Sequence, residues 1–352
     1  MPWIRRILVL GLFGFVSLLH AKSPAAEDGP AANNALPPGA AAQAASPTRP
    51  CNLYEAAHTP CVAAFSTARA LYDSYTGPLY QVTRQSDKTT LNIGILSDGY
   101  ANAATQDGFC EKTTCTMTRI YDQSSHHNDL TVAPAGGAAQ GRGPGGHDRP
   151  AIANALPIAA GGHKVYGVYI AAGMGYRNDA TSGIAVHGQP EGVYMVTSGI
   201  HVNGGCCFDF GNAERNNRDN GAGHMDAISL MCNKPCPRVG LDMEDGIYPA
   251  FPVPTGLPFV TAMGANDGQK KYAVYWGNAQ AGKLTSSGLR PLPAKGYAPM
   301  RQEGAIILGI GGDNSNASIG SFFEGVMTAG VPSSATMNAV QANVVSAGYA
   351  AP

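Results

Sequence analysis

The chain has 352 residues, and only 13% of them are charged, with 23 basic against 24 acidic side chains and a formal net charge of −1. No run of basic residues is long enough to neutralise successive phosphates, so the composition argues against nucleic acid as a partner. The near-neutral balance also argues against capture by anionic membranes, and it is compatible with a neutral substrate such as a polysaccharide.

The first 21 residues have the pattern of an export signal. Arg5 and Arg6 precede an apolar run over residues 7–19, and Ala21 is a small residue at a suitable cleavage point. Because the run is shorter than the roughly 20 residues that span a bilayer, an uncleaved anchor is the weaker alternative. We therefore expect a signal peptide at 1–21, a secreted or extracellular protein with the periplasm as an alternative, and no membrane association after cleavage.

Two regions follow the signal. Residues 22–50 are rich in Ala and Pro and have hardly any large apolar side chains, so they are expected to form a disordered linker. Residues 51–352 carry evenly spread Gly and Pro without a second linker or an internal repeat, which favours one large domain. We expect this domain to be a monomer.

Short segments rich in β-branched and aromatic residues are typical of strands, and five stand out: 78–84, 164–171, 192–199, 271–277 and 304–310. Helical periodicity is scarce until the C-terminus, where Ser333 or Ser334 is suited to cap a helix with Met337, Val340 and Val344 on one face. The pattern predicts an all-β fold, a two-sheet β-sandwich with a short C-terminal helix.

All eight cysteines lie beyond the signal and come in close pairs. In an exported chain this spacing indicates four local disulfides, although eight cysteines formally allow 105 connectivities. The pairs are Cys51 with Cys61, Cys110 with Cys115, Cys206 with Cys207, and Cys232 with Cys236. A zinc site is disfavoured because CNKPC at 232–236 lacks a second ligand pair, so no metal and no cofactor is expected.

Adjacent cysteines stand in the block GGCCFDFGNAE at 204–214. If Cys206 and Cys207 are bonded to each other, they form a rigid bump whose polarizable sulfur surface could pack against a sugar ring. The alternative is a pair of reduced or separately paired cysteines.

Three carboxylates are concentrated in GLDMEDG at 240–246. If this stretch is extended, Asp242 and Glu244 point to one side while Leu241 and Met243 point into the core. Two such carboxylates on one face would raise at least one pKa, as acid and base chemistry often requires. A solvated edge strand and a calcium site remain the alternatives.

A second acidic candidate is Asp313 in GIGGDNSN at 309–316, where glycines would allow a ligand to approach the backbone. The alternative is an Asx turn in which Asp313 bonds its own backbone. The segment has no GK[ST] ending and is therefore a poor match to a phosphate loop. GxSxG and HExxH are absent, and His126, His127 and His224 are interpreted as hydrogen-bonded loop or core residues.

Seven segments, in this order, resemble the catalytic domain of the family 54 α-L-arabinofuranosidases: PCNLYEAAHTPCVAAFSTARALYDSYTGPLYQV, FCEKTTC, IYDQSSHHNDLT, GGCCFDFGNAE, GHMDAI, DMEDG and EGAIILGIGGDNSN. The resemblance runs from about Cys51 to Tyr349. It implies a concanavalin-like β-sandwich and a retaining glycosidase that releases terminal arabinofuranose from an arabinose-containing polysaccharide or oligosaccharide.

The resemblance also implies a role for individual residues. Glu244 matches the nucleophile and Asp313 the general acid/base. Asp242 matches a carboxylate that binds sugar hydroxyls, Gly312 a backbone contact to the sugar, and Cys206 with Cys207 a vicinal disulfide beneath it. The pairs Cys51 with Cys61 and Cys110 with Cys115 match the family's other two disulfides.

The chain departs from the family pattern at three points. Asp245 replaces an Asn after the nucleophile, which could alter a contact to a sugar hydroxyl because an ionised carboxylate cannot donate. The tryptophan that walls the sugar pocket is missing, and the Cys232 to Cys236 hairpin is expected in its place. The β-trefoil that often follows the catalytic domain is not expected, since the sequence stops at Pro352.

Two other functions remain open from the sequence. A β-D-galactofuranosidase acts on a sugar of the same ring stereochemistry with one more exocyclic carbon, and loss of the tryptophan wall would favour it. A non-catalytic, lectin-like carbohydrate-binding domain would use the same fold type.

Overall fold

The computed structural model describes residues 48–232, 234–245 and 249–352. The predicted signal peptide and residues 22–47 of the predicted linker lie outside the described residues. The carbonyl of Thr48 accepts a hydrogen bond of 2.6 Å from Asn343 Nδ2. Among the residues that are described, no helix is both long and apolar enough to cross a bilayer.

In the described part of the chain, nineteen strands form two antiparallel sheets. They are β1 (Cys61–Ser66), β2 (Tyr80–Arg84), β3 (Thr90–Ile93), β4 (Cys115–Ile120), β5 (Leu130–Val132), β6 (Leu156–Ala160), β7 (His163–Ile170), β8 (Tyr176–Asn178), β9 (Glu191–Thr197), β10 (Asp209–Ala213), β11 (Asp226–Met231), β12 (Arg238–Asp242), β13 (Ala250–Pro252), β14 (Val260–Asn266), β15 (Lys271–Asn278), β16 (Ala281–Ser286), β17 (Arg290–Pro291), β18 (Ala305–Leu308) and β19 (Gly320–Ala329).

The first sheet has the order β16-β15-β14-β9-β19-β7-β6, with β1 beside β19 and β17 beside β15. The second sheet has the order β13-β12-β11-β10-β18-β8-β5-β4-β2-β3. Each of the five predicted segments overlaps a strand, namely β2, β7, β9, β15 and β18. The predicted two-sheet β-sandwich is therefore confirmed.

Aromatic side chains from both sheets meet in the core. The ring of Phe210 on β10 packs edge-on against Phe65 of β1 at 6.1 Å and lies 5.3 Å from Phe322 of β19. All three side chains are fully buried. Aromatic pairs at these separations add to the stabilisation that comes from burying their area, so this contact holds the two sheets face to face.

Three α-helices occur in the described residues: α1 (Pro50–Ala56), α2 (Ala103–Phe109) and α3 (Ser334–Ser346). The last is the predicted C-terminal helix. Ser333 caps it by accepting a hydrogen bond from Thr336 N, and Met337, Val340 and Val344 are buried. The sequence did not predict α1 and α2, because helices of seven residues are too short to display a periodic apolar face.

One buried ion pair joins distant parts of the chain. The guanidinium of Arg69 donates to both oxygens of Glu324, at 2.6 and 2.8 Å, and to Asn343 of α3 at 2.9 Å. Tyr349 Oη also donates to Glu324, at 2.6 Å. Burial alone would raise the pKa of Glu324, but the charge of Arg69 and the hydrogen bonds from Arg69, Tyr349 and Tyr194 together outweigh it and hold that pKa below its usual value.

The eight cysteines form four disulfides, Cys51–Cys61, Cys110–Cys115, Cys206–Cys207 and Cys232–Cys236. The first joins α1 to β1, and the second joins the end of α2 to β4. The other two lie just before β10 and between β11 and β12.

The second sheet turns one face to the core and carries the candidate site on the other. On β10, β11 and β12 the alternate residues Phe210, Ile228 and Leu241 are fully buried in the main core. Their neighbours project to the opposite face, where Asp209 pairs in register with Ser229, and Ala227 with Asp242. Strand pairing thus brings polar side chains from three strands onto one outward surface.

Candidate active site

A cavity of about 290 Å³ opens on the outward face of the second sheet. All seven residues that the sequence singled out for catalysis or sugar binding line it: Cys206, Cys207, Asp242, Glu244, Asp245, Gly312 and Asp313. Gly205, Phe208, Asp209, Asp219, Met225, Ser229, Met231, Gly311 and Ser315 complete the wall. The two carboxylates predicted for catalysis, Glu244 and Asp313, therefore face one hollow.

Glu244 lies just beyond the end of β12, in a backbone conformation that non-glycine residues rarely adopt. Its φ is 73°, and that of Asp245 is 56°. Asp242 Oδ1 accepts a hydrogen bond of 3.0 Å from Glu244 N, and Tyr297 Oη donates to Glu244 O at 2.8 Å. These two bonds hold the turn that presents the Glu244 side chain to the cavity, and such local backbone strain is common at functional sites.

The predicted alternation across GLDMEDG is present. Leu241 and Met243 are fully buried in the core, while Asp242 and Glu244 line the cavity. The regular strand ends at Asp242, so the alternation continues by two residues into the turn.

Asp313 follows β18 in a tight loop. Its Oδ1 accepts hydrogen bonds from Ser315 N at 2.9 Å and from Ser315 Oγ at 2.7 Å. The Asx turn considered from the sequence is thus present, and the same side chain also lines the cavity. Both bonds go to Oδ1, so Oδ2 accepts no hydrogen bond from the described residues.

The Cys206–Cys207 disulfide is bound to the loop that carries Asp313. Cys207 N donates to Ser315 O at 3.1 Å, and Ala317 N donates to Cys206 O at 2.9 Å. A Cβ at Gly311 would lie 3.2 Å from Cys207 Sγ, so the glycine lets the loop pack closely on the sulfur. The disulfide and the acidic loop therefore form one wall.

Three carboxylates near the cavity were not singled out from the sequence: Asp209, Glu214 and Asp219. Carboxylate oxygens of Asp209 and Asp242 lie within 4.8 Å of each other, and so do those of Glu214, Asp219 and Glu244. Asp209 stands between Phe208 and Phe210, and Glu214 follows the same strand directly, so both acids could have been noticed from their neighbours, since charged residues are rarely buried without a role.

Burial and mutual repulsion shift the titration of these acids. Burial, then the charge of Asp242, raises the pKa of Asp209, and burial raises the pKa of Asp242 to about 6. Burial, then the charge of Glu214, raises the pKa of Glu244. Burial also raises the pKa of Glu214 to about 7. Because two close carboxylates resist double ionisation, the Glu214 and Glu244 pair retains one proton near neutral pH.

Two trios in the described residues bring possible metal ligands together, Cys207 with Asp209 and Asp242, and Glu214 with Asp219 and Glu244. Cys207 is bonded to Cys206 and offers no thiolate. The second trio offers three carboxylates, which are ligands that calcium accepts, so these residues are the ones that could hold the calcium ion considered from the sequence. Of the histidines considered, His224 bonds Glu303 at 2.8 Å and His126 bonds Ser182 at 3.1 Å.

No tryptophan lines the cavity within the described residues. Trp276 stands on β15 of the first sheet, where its ring stacks on Phe251 at 5.4 Å. Met231 at the end of β11 forms part of the cavity wall, whereas Cys232 and Cys236 do not line it. The Met231 side chain, which directly precedes the hairpin, thus forms part of the cavity wall in place of the predicted Cys232–Cys236 disulfide.

Residues 50–350 match the family model described as alpha-L-arabinofuranosidase B, catalytic. This chain belongs to that family. An alpha-L-arabinofuranosidase of Hypocrea jecorina is 50% identical over 318 residues, which cover 86% of this chain and 63% of the relative. Alpha-L-arabinofuranosidase B of Emericella nidulans is 49% identical, with 86% of this chain and 62% of the relative covered. The chain thus spans less than two thirds of the length of these curated arabinofuranosidases.

Solved structures of family 54 enzymes have the same fold. An arabinofuranosidase complexed with arabinofuranosyl-α-1,2-xylobiose is 45% identical, with a TM-score of 0.83 over 87% of this chain and 66% of that one. A family 54 α-L-arabinofuranosidase soaked with a cyclic sulfate inhibitor has a TM-score of 0.82 at the same identity and coverage.

Proposed function

We propose that this chain is a retaining α-L-arabinofuranosidase that removes terminal arabinofuranosyl units from arabinan- or arabinoxylan-type polysaccharides. The main support is that Glu244 and Asp313, far apart in sequence, line one small cavity. A cavity of about 290 Å³ is at the lower end of ligand sites and suits a single sugar unit, which favours release from chain ends.

The proposed reaction is a double displacement. The Glu244 carboxylate attacks the anomeric carbon while the bond to the departing oxygen breaks and Asp313 transfers its proton to that oxygen. Asp313, now ionised, then takes a proton from water. The water oxygen attacks the anomeric carbon, the glycosyl ester breaks, and Glu244 is regenerated with net retention. Such a pair should hold its carboxyl groups roughly 5 to 5.5 Å apart.

Glu214 is proposed to keep Glu244 ionised for attack. Burial and the charge of Glu214 raise the pKa of Glu244 to about 10, whereas burial raises the pKa of Glu214 to about 7, so the shared proton rests on Glu244 before substrate binds. We propose that this proton moves to Glu214 before Glu244 attacks. Glu214 does not line the cavity and acts as a positioning residue.

The remaining lining residues are proposed to bind the sugar. Asp242 accepts hydrogen bonds from sugar hydroxyls. Asp245 lies at the exposed rim in the position where the family pattern has an Asn, and its ionised carboxylate can accept hydrogen bonds but cannot donate them. The Cys206–Cys207 disulfide supplies a flat apolar surface beneath the ring, and Gly312 allows a backbone contact. No cofactor takes part in this scheme.

We also propose that the protein is exported and works as a monomer with the signal and linker boundaries given above. Four disulfides are typical of proteins that fold in an oxidising compartment.

The test is proton NMR of arabinoxylan and arabinan digests, which reports the substrate, the product and the anomeric configuration together. Glu244→Ala and Asp313→Ala are each expected to lower turnover by at least about 100-fold, as loss of a nucleophile or general acid does. Glu111→Gln, a change of an exposed acid, should have no effect. Near-normal turnover in either cavity variant, or initial release of the inverted sugar, would contradict the scheme.

A β-D-galactofuranosidase is the second candidate, and the specific observation in its favour is the absence of tryptophan from the described cavity wall. The flexible Met231 could make room for one more exocyclic carbon. Comparing the turnover of aryl arabinofuranoside and aryl galactofuranoside distinguishes the two activities. Saturable sugar binding without product from either would indicate a lectin-like domain instead.

A further inference from the structure

The wall of the cavity contains one buried acid that the proposed mechanism does not use. Asp209 is the first residue of β10, it is fully buried, and it lines the cavity together with Asp242. No backbone or hydroxyl donor of the described residues satisfies either of its carboxyl oxygens. Ser229 lies opposite it in register, but the Ser229 hydroxyl donates to Phe208 O at 3.2 Å. Because a buried polar group without a partner is costly, Asp209 needs a partner of another kind.

The fold supplies Asp242 as that partner. The register of β10 with β11 and of β11 with β12 brings a carboxyl oxygen of Asp209 and one of Asp242 within 4.8 Å of each other. Ionised carboxylates only accept hydrogen bonds, so the two side chains can bond to each other only while a proton remains between them. Asp209 is fully enclosed, whereas Asp242 is half-buried. The negative charge is therefore better solvated on Asp242, and the proton belongs on Asp209.

We propose that Asp209 is a positioning residue, which donates a hydrogen bond to the Asp242 carboxylate and fixes it as an acceptor for a sugar hydroxyl. The inference rests on the proposed function, in which Asp242 binds the sugar. Asp209 has no exposed surface, so it acts through Asp242 rather than on the substrate. Glu244 N already holds Asp242 Oδ1 at 3.0 Å. A carboxylate held by one bond can still rotate, whereas a second donor fixes its plane, as binding by preorganised groups requires.

The surroundings favour a neutral donor in this place. No Lys, Arg or His lines the cavity within the part of the chain that the structure describes, so no cation there neutralises Asp242. Cys207 Sγ lies within 4.8 Å of a carboxyl oxygen of both acids, and its disulfide is an apolar cover that strengthens a hydrogen bond beneath it. Burial, then the charge of Asp242, raises the pKa of Asp209, which agrees with a proton on that residue.

The test separates the hydrogen bond from the negative charge. Asp209→Leu removes the donor at similar volume, and Asp209→Ala removes it without adding bulk if the leucine variant does not fold. Asp209→Asn cannot ionise, but its amide Nδ2 can still donate to Asp242. Asp226→Asn is the matched control, because Asp226 is a buried acid on the neighbouring strand β11 that does not line the cavity. Near-UV circular dichroism verifies that each variant is folded.

On an aryl α-L-arabinofuranoside, Asp209→Leu is expected to raise KM by at least about tenfold and to lower kcat by less than about threefold, as loss of uniform substrate binding does. Asp209→Asn should restore KM to within about threefold of the parent, and Asp226→Asn should leave KM unchanged. An equal rise of KM in Asp209→Asn and Asp209→Leu, or an unchanged KM in Asp209→Leu, would overturn the inference.

A double-mutant cycle tests whether Asp209 acts through Asp242. Asp242→Asn should raise KM by itself, because a charged acceptor is lost. In that background no carboxylate is left to hold, so adding Asp209→Leu should change KM by less than about twofold. The same tenfold rise in both backgrounds would show that Asp209 supports the site by a route that does not include Asp242.

Binding without turnover distinguishes this inference from the proposed function. Proteins that also carry Glu244→Gln are titrated calorimetrically with the aryl arabinofuranoside, and Asp209→Leu should weaken binding by at least about tenfold while Asp209→Asn restores it. If this pattern is found but the parent cleaves no arabinofuranoside, the positioning role stands and the proposed hydrolysis fails. If the parent cleaves the substrate and Asp209→Leu binds it normally, the inference fails alone. If the titration shows no saturable binding, both fail.

Discussion

A single methyl group at Gly312 tests how the acidic loop and the nucleophile are coupled. A Cβ built on Gly312 would overlap Glu214 Oε2 and would lie 3.1 Å from Glu214 Cδ and 3.2 Å from Met225 Sδ. Gly312 does not have a positive φ, so the backbone itself tolerates alanine. The Gly312→Ala variant must therefore displace either the Glu214 carboxyl or the loop that carries Asp313.

Both displacements predict a modest loss of stability and a larger loss of activity. Overpacking a filled interior by one methyl group costs about 1–3 kcal/mol of unfolding free energy. A shift of roughly 1 Å in a catalytic group lowers turnover by about 100-fold. Gly312→Ala should thus remain folded at room temperature while its kcat on an aryl arabinofuranoside falls by about two orders of magnitude.

The assay combines steady-state kinetics with chemical denaturation. Gly94→Ala is the matched control, because its Cβ would meet nothing within 4 Å and its φ is also not positive. In the Glu214→Ala background, the same Gly312→Ala change should cost much less, since the overlapping carboxylate is gone. Parental activity in Gly312→Ala, or an equal loss in both backgrounds, would refute the coupling through Glu214.

Three further outcomes follow from the described contacts. Burial raises the pKa of Asp226 to about 7 beside the buried Glu191, so its contribution to stability is complete below about pH 4 and is lost as the pH rises through 7. Asp226→Asn should flatten this fall in denaturation curves measured from about pH 4 to 8, and an unchanged slope would contradict it. Arg69→Met leaves Glu324 buried without its partner and should lower the unfolding free energy by about 3–5 kcal/mol, whereas a loss below about 1 kcal/mol would show that the pair is dispensable. Replacing the Cys206–Cys207 disulfide by two serines should raise KM with little change in Tm, because the loop it closes is trivial, and a large fall in Tm would assign it a structural role.

The elements that could be predicted from the sequence are those with a local signature. The strand around Tyr194 is rich in β-branched and large apolar residues, and α3 has both a serine cap and an apolar face. The helices α1 and α2 lack such a face because each makes only about two turns. Their positions depend on the disulfides Cys51–Cys61 and Cys110–Cys115 rather than on periodicity.

Only some of the site residues could be predicted from the sequence, for a different reason. Asp242 and Glu244 are two residues apart, so alternation alone places them together. Asp209 reaches the same cavity because β10 pairs with β11 and β11 pairs with β12 in a particular register. No local pattern encodes that register. Glu214 approaches Glu244 through the same strand order, which explains why neither acid was selected in advance.

The loop between β18 and β19 holds Asp313 through three separate parts of the fold. Gly312 O accepts a hydrogen bond of 2.6 Å from Arg177, Asp313 O accepts one of 3.0 Å from Ala138 N, and Ser315 O accepts one of 3.1 Å from Cys207 N. Because one short segment is bonded to all three partners, a displacement of the loop also displaces the Cys206–Cys207 disulfide that lines the same cavity. Substitutions in this loop should therefore lower kcat and raise KM together, whereas a change of the disulfide alone should mainly raise KM.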